Sequence, residues 1–260
     1  MLGALAKRLF GTRNDRLIKS LRPIVDQINA KGGILGKKID FVVYDTQTNP
    51  GNTRAAVQRG VDEGAFAIFG PVFSGPISAS MQIAQKAGVP QIVGGEAAGL
   101  TKQGVTTIFR TSLNQADAMP KLAEYFKTDV GAKSVAVVWV NNDFGKGGRD
   151  AIIPELQKRG IKIAADLATE SAQADFAADA IKVKASDADA VFVYLNEEES
   201  ARFLRAIKQQ GYTIVMVEQN FLFAAPLADH FYVMEHGTIV EQFAATSLSE
   251  KMPVLHQLLG

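Results

Sequence analysis

The chain has 260 residues, of which 47% are hydrophobic and 21% charged, with a formal net charge of +1. This composition excludes whole-chain disorder, collagen-like repeats and a membrane bundle, and the near-neutral balance gives no global reason to expect a nucleic-acid partner. With no cysteine and three histidines, disulfides, thiolate zinc sites, iron–sulfur clusters and cysteine nucleophiles are excluded, and neither a cofactor nor a metal is expected.

The charge is uneven along the chain. Residues 1–38 hold nine Lys/Arg against only Asp15 and Asp26, so a basic head precedes a mildly acidic body. Leu2, Leu5, Ala6 and Leu9 recur at helical spacing, but Lys7 and Arg8 interrupt the run, so the head does not read as an export signal. It reads as a short amphipathic helix that packs on the body, or one that makes weak contact with an anionic membrane surface through residues 1–22. No apolar run approaches the roughly 20 residues that span a bilayer.

Residues 38–44 (KIDFVVY) predict a strand, and Asn49-Pro50-Gly51-Asn52 a break and helix cap before a helix over 53–63. Residues 66–69 predict a buried run ended by Gly70-Pro71. A helix over 78–87 comes next, stopped by Gly88 and Pro90, then a strand over 91–93, an extended run over 107–110 and a helix over 116–126. The pattern then restarts: strands over 134–140, 161–164, 190–194 and 213–217, with helices over 149–158, 174–184 and 198–209. A hairpin over 231–235 and 238–242 and a helix over 252–259 close the chain. Repeated β–α units with nearly all-apolar strands predict an α/β fold with parallel sheets covered on both faces. The break at 129–133 divides the body into an N-terminal lobe (31–130) and a C-terminal lobe (131–212), flanked by the head (1–30) and a tail (213–260).

In such sheets ligands sit in the loops beyond the carboxyl ends of strands, so those loops carry the candidate chemistry. Phe73 and Ser74 come after the first run; a hydroxyl and free N–H groups near a helix start suit a carboxylate, with a turn and N-cap serine as the plain alternative. Gly94, Gly95, Glu96 and Ala97 come after the next strand, where small residues allow close approach and Glu96 suits an ammonium group, or is an exposed loop acid. Phe144 comes after 134–140 as a cavity wall or a loop aromatic. Tyr194, Asn196 and Glu198 lie at and beyond the end of 190–194, where acids also simply favour a helix N-terminus. No phosphate-binding loop, dinucleotide fingerprint or nucleophile elbow is present, and His230, His236 and His256 fall in no catalytic pattern. The chain is expected not to be an enzyme.

Residues 28–39 (INAKGGILGKKI), 44–50 (YDTQTNP), the Gly70-Pro71 loop, residues 93–98, Phe109-Arg110-Thr111-Ser112 and residues 142–147 (NDFGKG) resemble the periplasmic substrate-binding proteins of branched-chain amino-acid ABC transporters. The resemblance covers about residues 28–212. It implies the type I periplasmic-binding fold, two α/β lobes closing by a hinge over an amino acid or small amide, with the transporter's membrane subunits as partners. It also implies that the ligand's α-carboxylate and α-amino groups meet Ser74 and the 94–97 loop, and that the second lobe closes with Phe144 and the 194–198 loop. Family members often carry a hydroxyl where Glu96 stands. By resemblance the chain is periplasmic; as written, with no visible leader, it is expected to stay in the cytoplasm.

At the ends the resemblance changes. Residues 1–30, especially 10–16 (FGTRNDR), resemble the N-terminus of the SecA translocase ATPase. Residues 213–220 (TIVMVEQN), 227–229 and 232–237 resemble the C-terminal end of a branched-chain amino-acid or urea transporter ATPase subunit. Glu218 falls, by register, near a family acid that meets the ligand ammonium. The expectation is a composite chain whose first ligand loop is lost, so that binding is weakened or absent. The alternatives are a scaffold with the fold but no ligand and, third, an ATPase fragment.

Overall fold

A computed structural model of the chain describes residues 13–212, 214, 225, 227–235 and 238–259. The chain divides into two compact units, Met1–Gln47 and Thr48–Gly260.

In the first unit, helix α1 (Arg13–Ala30) ends in a turn through Gly32, Gly33 and Gly36, all at positive φ. Gly33 is required here, because a Cβ would collide with the Lys37 carbonyl. Asn29 pins the far side of this turn: its side chain donates to the Ile39 carbonyl (2.8 Å) and accepts from the Ile39 N–H (2.7 Å). The strand expected over 38–44 is not formed. Its β propensity describes a run that fits a pleated, paired surface; no strand among the described residues pairs with it, and Val42 and Val43 stay exposed.

The second unit opens with α2 (Pro50–Asp62), capped as expected by Asn49, whose side chain accepts from the Asn52 N–H (3.0 Å). Strands β1 (Ile68–Phe69), β2 (Gln91–Val93) and β3 (Ile108–Arg110) form a parallel sheet in that order. Helix α3 (Ser74–Ala87) covers one face and begins four residues earlier than its apolar spacing predicts. The row Ile68–Gln91–Ile108 points to α3, where Gln91 donates to Ser80 Oγ (3.2 Å) and the Gly70 carbonyl (3.0 Å). The opposite row, Phe69–Ile92–Phe109, is open: Phe69 is 77% and Phe109 53% exposed, and Phe66 is 94% exposed. The buried run expected at 66–69 is therefore corrected to a two-residue strand whose Ile68 faces α3 and whose Phe69 is exposed.

The second sheet, β5 (Lys162–Thr169), β4 (Ser134–Val140) and β6 (Ala190–Tyr194), is parallel with β4 in the centre. Period-two alternation explains the apolar run of β4. Val135 and Val137 enter a core with Ile152 and Leu156, while Ala136, Val138 and Val140 enter another with Phe176 and Phe203. The covering helices are α4 (Gln115–Thr128), α5 (Asp143–Lys158), α6 (Ala177–Ala185) and α7 (Glu197–Gln209). The expected N-terminal lobe, running to residue 130, includes α4. The Met119, Ala123 and Phe126 side chains of α4 belong to the core built on β4 and α5.

The tail carries the expected hairpin, β7 (His230–Glu235) against β8 (Thr238–Ala244), and then α8 (Leu248–Leu259). Phe231, Val233, Phe243 and Leu255 close a small core of their own. The expected strand at 213–217, apart from residue 214, and the helix in the first ten residues, together with His236, lie outside the described residues.

Candidate functional site

The site is assembled where β2, β4 and β6 end. Glu96 stands on the loop after β2. Its backbone carbonyl is held by Arg110 Nη1 (2.9 Å) and the Gln115 N–H (3.1 Å). Arg110 also donates to Thr101 Oγ1 (3.0 Å), so this guanidinium fixes the loop and leaves the Glu96 carboxylate to other partners. That carboxylate accepts the Tyr194 hydroxyl at 2.6 Å, from the last residue of β6 in the other lobe. The Tyr194 ring stacks on Phe144 (4.3 Å between centroids, 19° between planes). Its other side lies where a Cβ on Gly148 would stand, so the helix side here requires glycine. Burial, and after it the bond to Glu96, holds the Tyr194 hydroxyl well above the ordinary phenol range, so it acts as a neutral donor.

Gln115 completes the cluster. It is 1% exposed, and its Nε2 donates to the Phe144 carbonyl (2.8 Å) and to the Tyr194 oxygen (3.1 Å). Sequence reasoning misses it. Its signal is positional: Gln115, Met119, Ala123 and Phe126 form the buried stripe of α4, and a polar residue heading an apolar stripe needs a partner.

Of the expected residues, the structure joins Glu96, Phe144 and Tyr194 directly. Ser74 is buried at the first turn of α3 and its Oγ accepts from the Ala97 N–H (3.2 Å), which ties two of the candidate loops. Gly94 lies against Val72. At Gly95 a Cβ would strike Ile77 and Leu100, so its smallness is taken up by the core of its own lobe. Phe73 precedes α3 on the surface and takes no part in the hydrogen-bonded cluster. Phe144 lies in the first turn of α5, which starts six residues ahead of the predicted helix, because Asn142 caps the helix by accepting from the Gly145 N–H (3.0 Å). Two residues stand apart. Asn196 caps α7 in a reciprocal box with Glu199, and Glu198 pairs with Arg202 (3.2 Å) on the surface. Glu218 lies outside the described residues. Among the described residues no three His, Cys, Asp or Glu are placed to hold a metal ion, and no helix is long and apolar enough to cross a membrane.

Two parallel sheets flanked by helices, with polar loops from both meeting at strand ends, define a two-lobed binding protein. Residues 17–237 match the periplasmic binding protein family, and the chain belongs to it. The match passes both places where the sequence puts joins. The Leu/Ile/Val-binding protein BraC3 of Rhizobium johnstonii is 30% identical over 179 residues, 68% of this chain and 49% of that protein. The Leu/Ile/Val-binding protein of Escherichia coli K12 is 27% identical over 188 residues, 72% of this chain and 51% of that one. The chain thus spans about half the length of the curated relatives it matches. Among solved structures, the branched-chain amino acid transporter substrate-binding protein LivJ of Streptococcus pneumoniae, in complex with isoleucine, is similar at a TM-score of 0.67 and 28% identity, over 77% of this chain and 58% of that one. The leucine-binding protein LivK of Thermotoga maritima shares the fold at a TM-score of 0.68 and 24% identity, over 74% of this chain and 54% of that one.

Proposed function

We propose that this chain is the solute-binding component of an ABC transporter and takes a branched-chain or related small amino acid between its lobes. The observation that carries this reading is the meeting of Glu96 from one lobe with Tyr194, Phe144 and Gln115 from the other. Chemistry sets the roles. The Glu96 carboxylate suits an ammonium group. The N–H groups at the start of α3 suit a carboxylate. The stacked Phe144 and Tyr194 rings offer an apolar wall for an aliphatic side chain. Binding and release, rather than bond making, is what such a site does, and the membrane subunits of the transporter are its partner. The periplasm is its proposed place of work, in keeping with the family; fractionation of a cell that makes the protein tests this.

Calorimetry with leucine, isoleucine, valine and small amides, carried to concentrations that saturate millimolar sites, tests the binding reading. Heat with at least one supports it, and no heat with any refutes it in favour of a fold without a ligand.

We further propose that the tail is an appended piece, as its likeness to a transporter ATPase subunit suggests. Its support is the closed core of Phe231, Val233, Phe243 and Leu255. Alignment of the same gene region from related strains tests it: a tail that always accompanies residues 17–212 overturns the proposal.

A further inference from the structure

The groups suited to a solute spend their hydrogen bonds on each other. The Tyr194 hydroxyl donates to Glu96 Oε2 at 2.6 Å, the length of a charge-assisted O–H···O⁻ bond, and accepts from Gln115 Nε2 at 3.1 Å. Both ends of this contact are held. Tyr194 is packed between Phe144 and the bare side of Gly148. Gln115 is a positioning residue, anchored on the Phe144 carbonyl. Across the gap, the peptide of Glu96 is fixed by Arg110 of its own lobe, and the Gln115 N–H reaches the same carbonyl from the Tyr194 side.

We infer that the Glu96–Tyr194 hydrogen bond is a latch that closes the lobes in the absence of solute, and that a solute must displace the phenol from the carboxylate to enter. The latch stands on geometry alone; the competition with solute rests on the proposed binding function. It sets a substrate class. Only a strong cationic donor replaces a phenol on a carboxylate without loss, so amino acids bearing an ammonium group are selected over the corresponding carboxylic acids that lack it. A latch of this kind also weakens apparent affinity by the fraction of chains that are unlatched.

The chain has no cysteine, so Gln82→Cys on α3 and Lys121→Cys on α4, both exposed, provide two unique spin-label positions, one on each lobe. Their distance distribution is measured without solute by pulsed electron resonance in the labelled parent, Tyr194→Phe and Glu96→Gln. Tyr194→Phe keeps the ring and removes only the hydroxyl. The expected result is a rise of about tenfold to a hundredfold in the open-to-closed ratio for Tyr194→Phe. Glu96→Gln, whose neutral oxygen still accepts, gives a smaller rise, and carries the test if Tyr194→Phe does not fold. Distributions identical to the parent in both variants overturn the latch. The same proteins are titrated with leucine and with 4-methylpentanoate, leucine without its amino group. Leucine binding without 4-methylpentanoate binding supports the selection, and equal binding of the two overturns it. If the distances shift and leucine binds to no protein, the latch stands and the solute reading falls; if leucine binds and the distances stay fixed, the reverse holds.

Discussion

The stretch from Asn142 to Arg149 packs three glycines into the first two turns of a helix, and replacing Gly145 and Gly148 one at a time tests the geometry of the site. Each Gly→Ala change inside a helix gains up to about 1 kcal/mol of propensity, so stabilisation is the naive expectation. Packing reverses the sign. At Gly145 the new methyl meets the carbonyl of Val140, which is backbone at the end of the central strand and cannot swing aside. Overpacking costs about 1–3 kcal/mol, and an unyielding partner places this site at the upper end, for a net loss of about 2 kcal/mol. At Gly148 the methyl meets the ring of Tyr194, which can tilt at the expense of its stacking and of its bond to Glu96, for a net loss of about 1 kcal/mol. Gly75, early in α3, has nothing within reach of a Cβ, so its change to alanine is neutral or mildly stabilising. In thermal unfolding, about 1 kcal/mol corresponds to roughly 2–4 °C for a chain of this size. Gly145→Ala is then expected to melt about 4–8 °C lower, Gly148→Ala about 2–4 °C lower, and Gly75→Ala within about a degree of the parent. A Gly145→Ala protein melting at or above the parent refutes the reasoning, since it would mean that the strand end gives way at no cost.

Asp189 accepts from the N–H groups of Lys133 and Ser134 (2.8 Å each) and from the Ser134 hydroxyl (3.1 Å), and these bonds hold its carboxyl below the ordinary aspartate range. A carboxyl depressed in the folded state stabilises the fold above its unfolded pKa, and the benefit is lost as pH falls through the depressed value. Asp189→Asn is therefore expected to lower stability at neutral pH and to flatten the acid limb of the stability curve, measured by urea unfolding from pH 7 down to 3; an unchanged acid limb contradicts this. Phe243→Ala is expected to remove amide-exchange protection from residues 230–259 while leaving 134–194 protected, because the tail core is separate. Loss of protection in both regions would show the two cores to be one cooperative unit.

The second lobe is legible in the sequence because its central strand carries the signal twice over. Residues 134–140 are apolar at every position but the first, which only a doubly covered strand tolerates, and the expected and observed spans coincide. The first lobe is less legible, for a physical reason. Residues 38–44 and 66–69 have strand composition, but composition reports only fitness for a paired surface. Pairing and covering are decided by other segments, and here no described strand pairs with 38–44, while Phe69 and Phe109 face outward in register. Apolar spacing places the starts of α3 and α5 late, because it begins only after the first turn, where Ser74 and Phe144 sit. Pattern reasoning therefore assigns both residues to loops, which is the right neighbourhood and the wrong element.

At the site itself, the identity of Glu96 and Tyr194 is readable, but their partnership is not, since 98 residues separate them and neither local pattern contains the other. The bond matters because it makes self-closure and solute capture two outcomes of one equilibrium. A cleft whose ligand groups satisfy one another leaves no buried charge unpaired when it shuts, which a cleft with an isolated carboxylate could not do. Glu96 is thus the residue that allows the lobes to meet without a guest. An open population of about 1% would weaken a micromolar intrinsic site about 100-fold. A weak calorimetric affinity in the parent chain, strengthened when Gln115→Leu releases Tyr194 without altering either group of the latch, is the pattern this coupling demands. Equal affinities in the parent and Gln115→Leu would separate closure from capture.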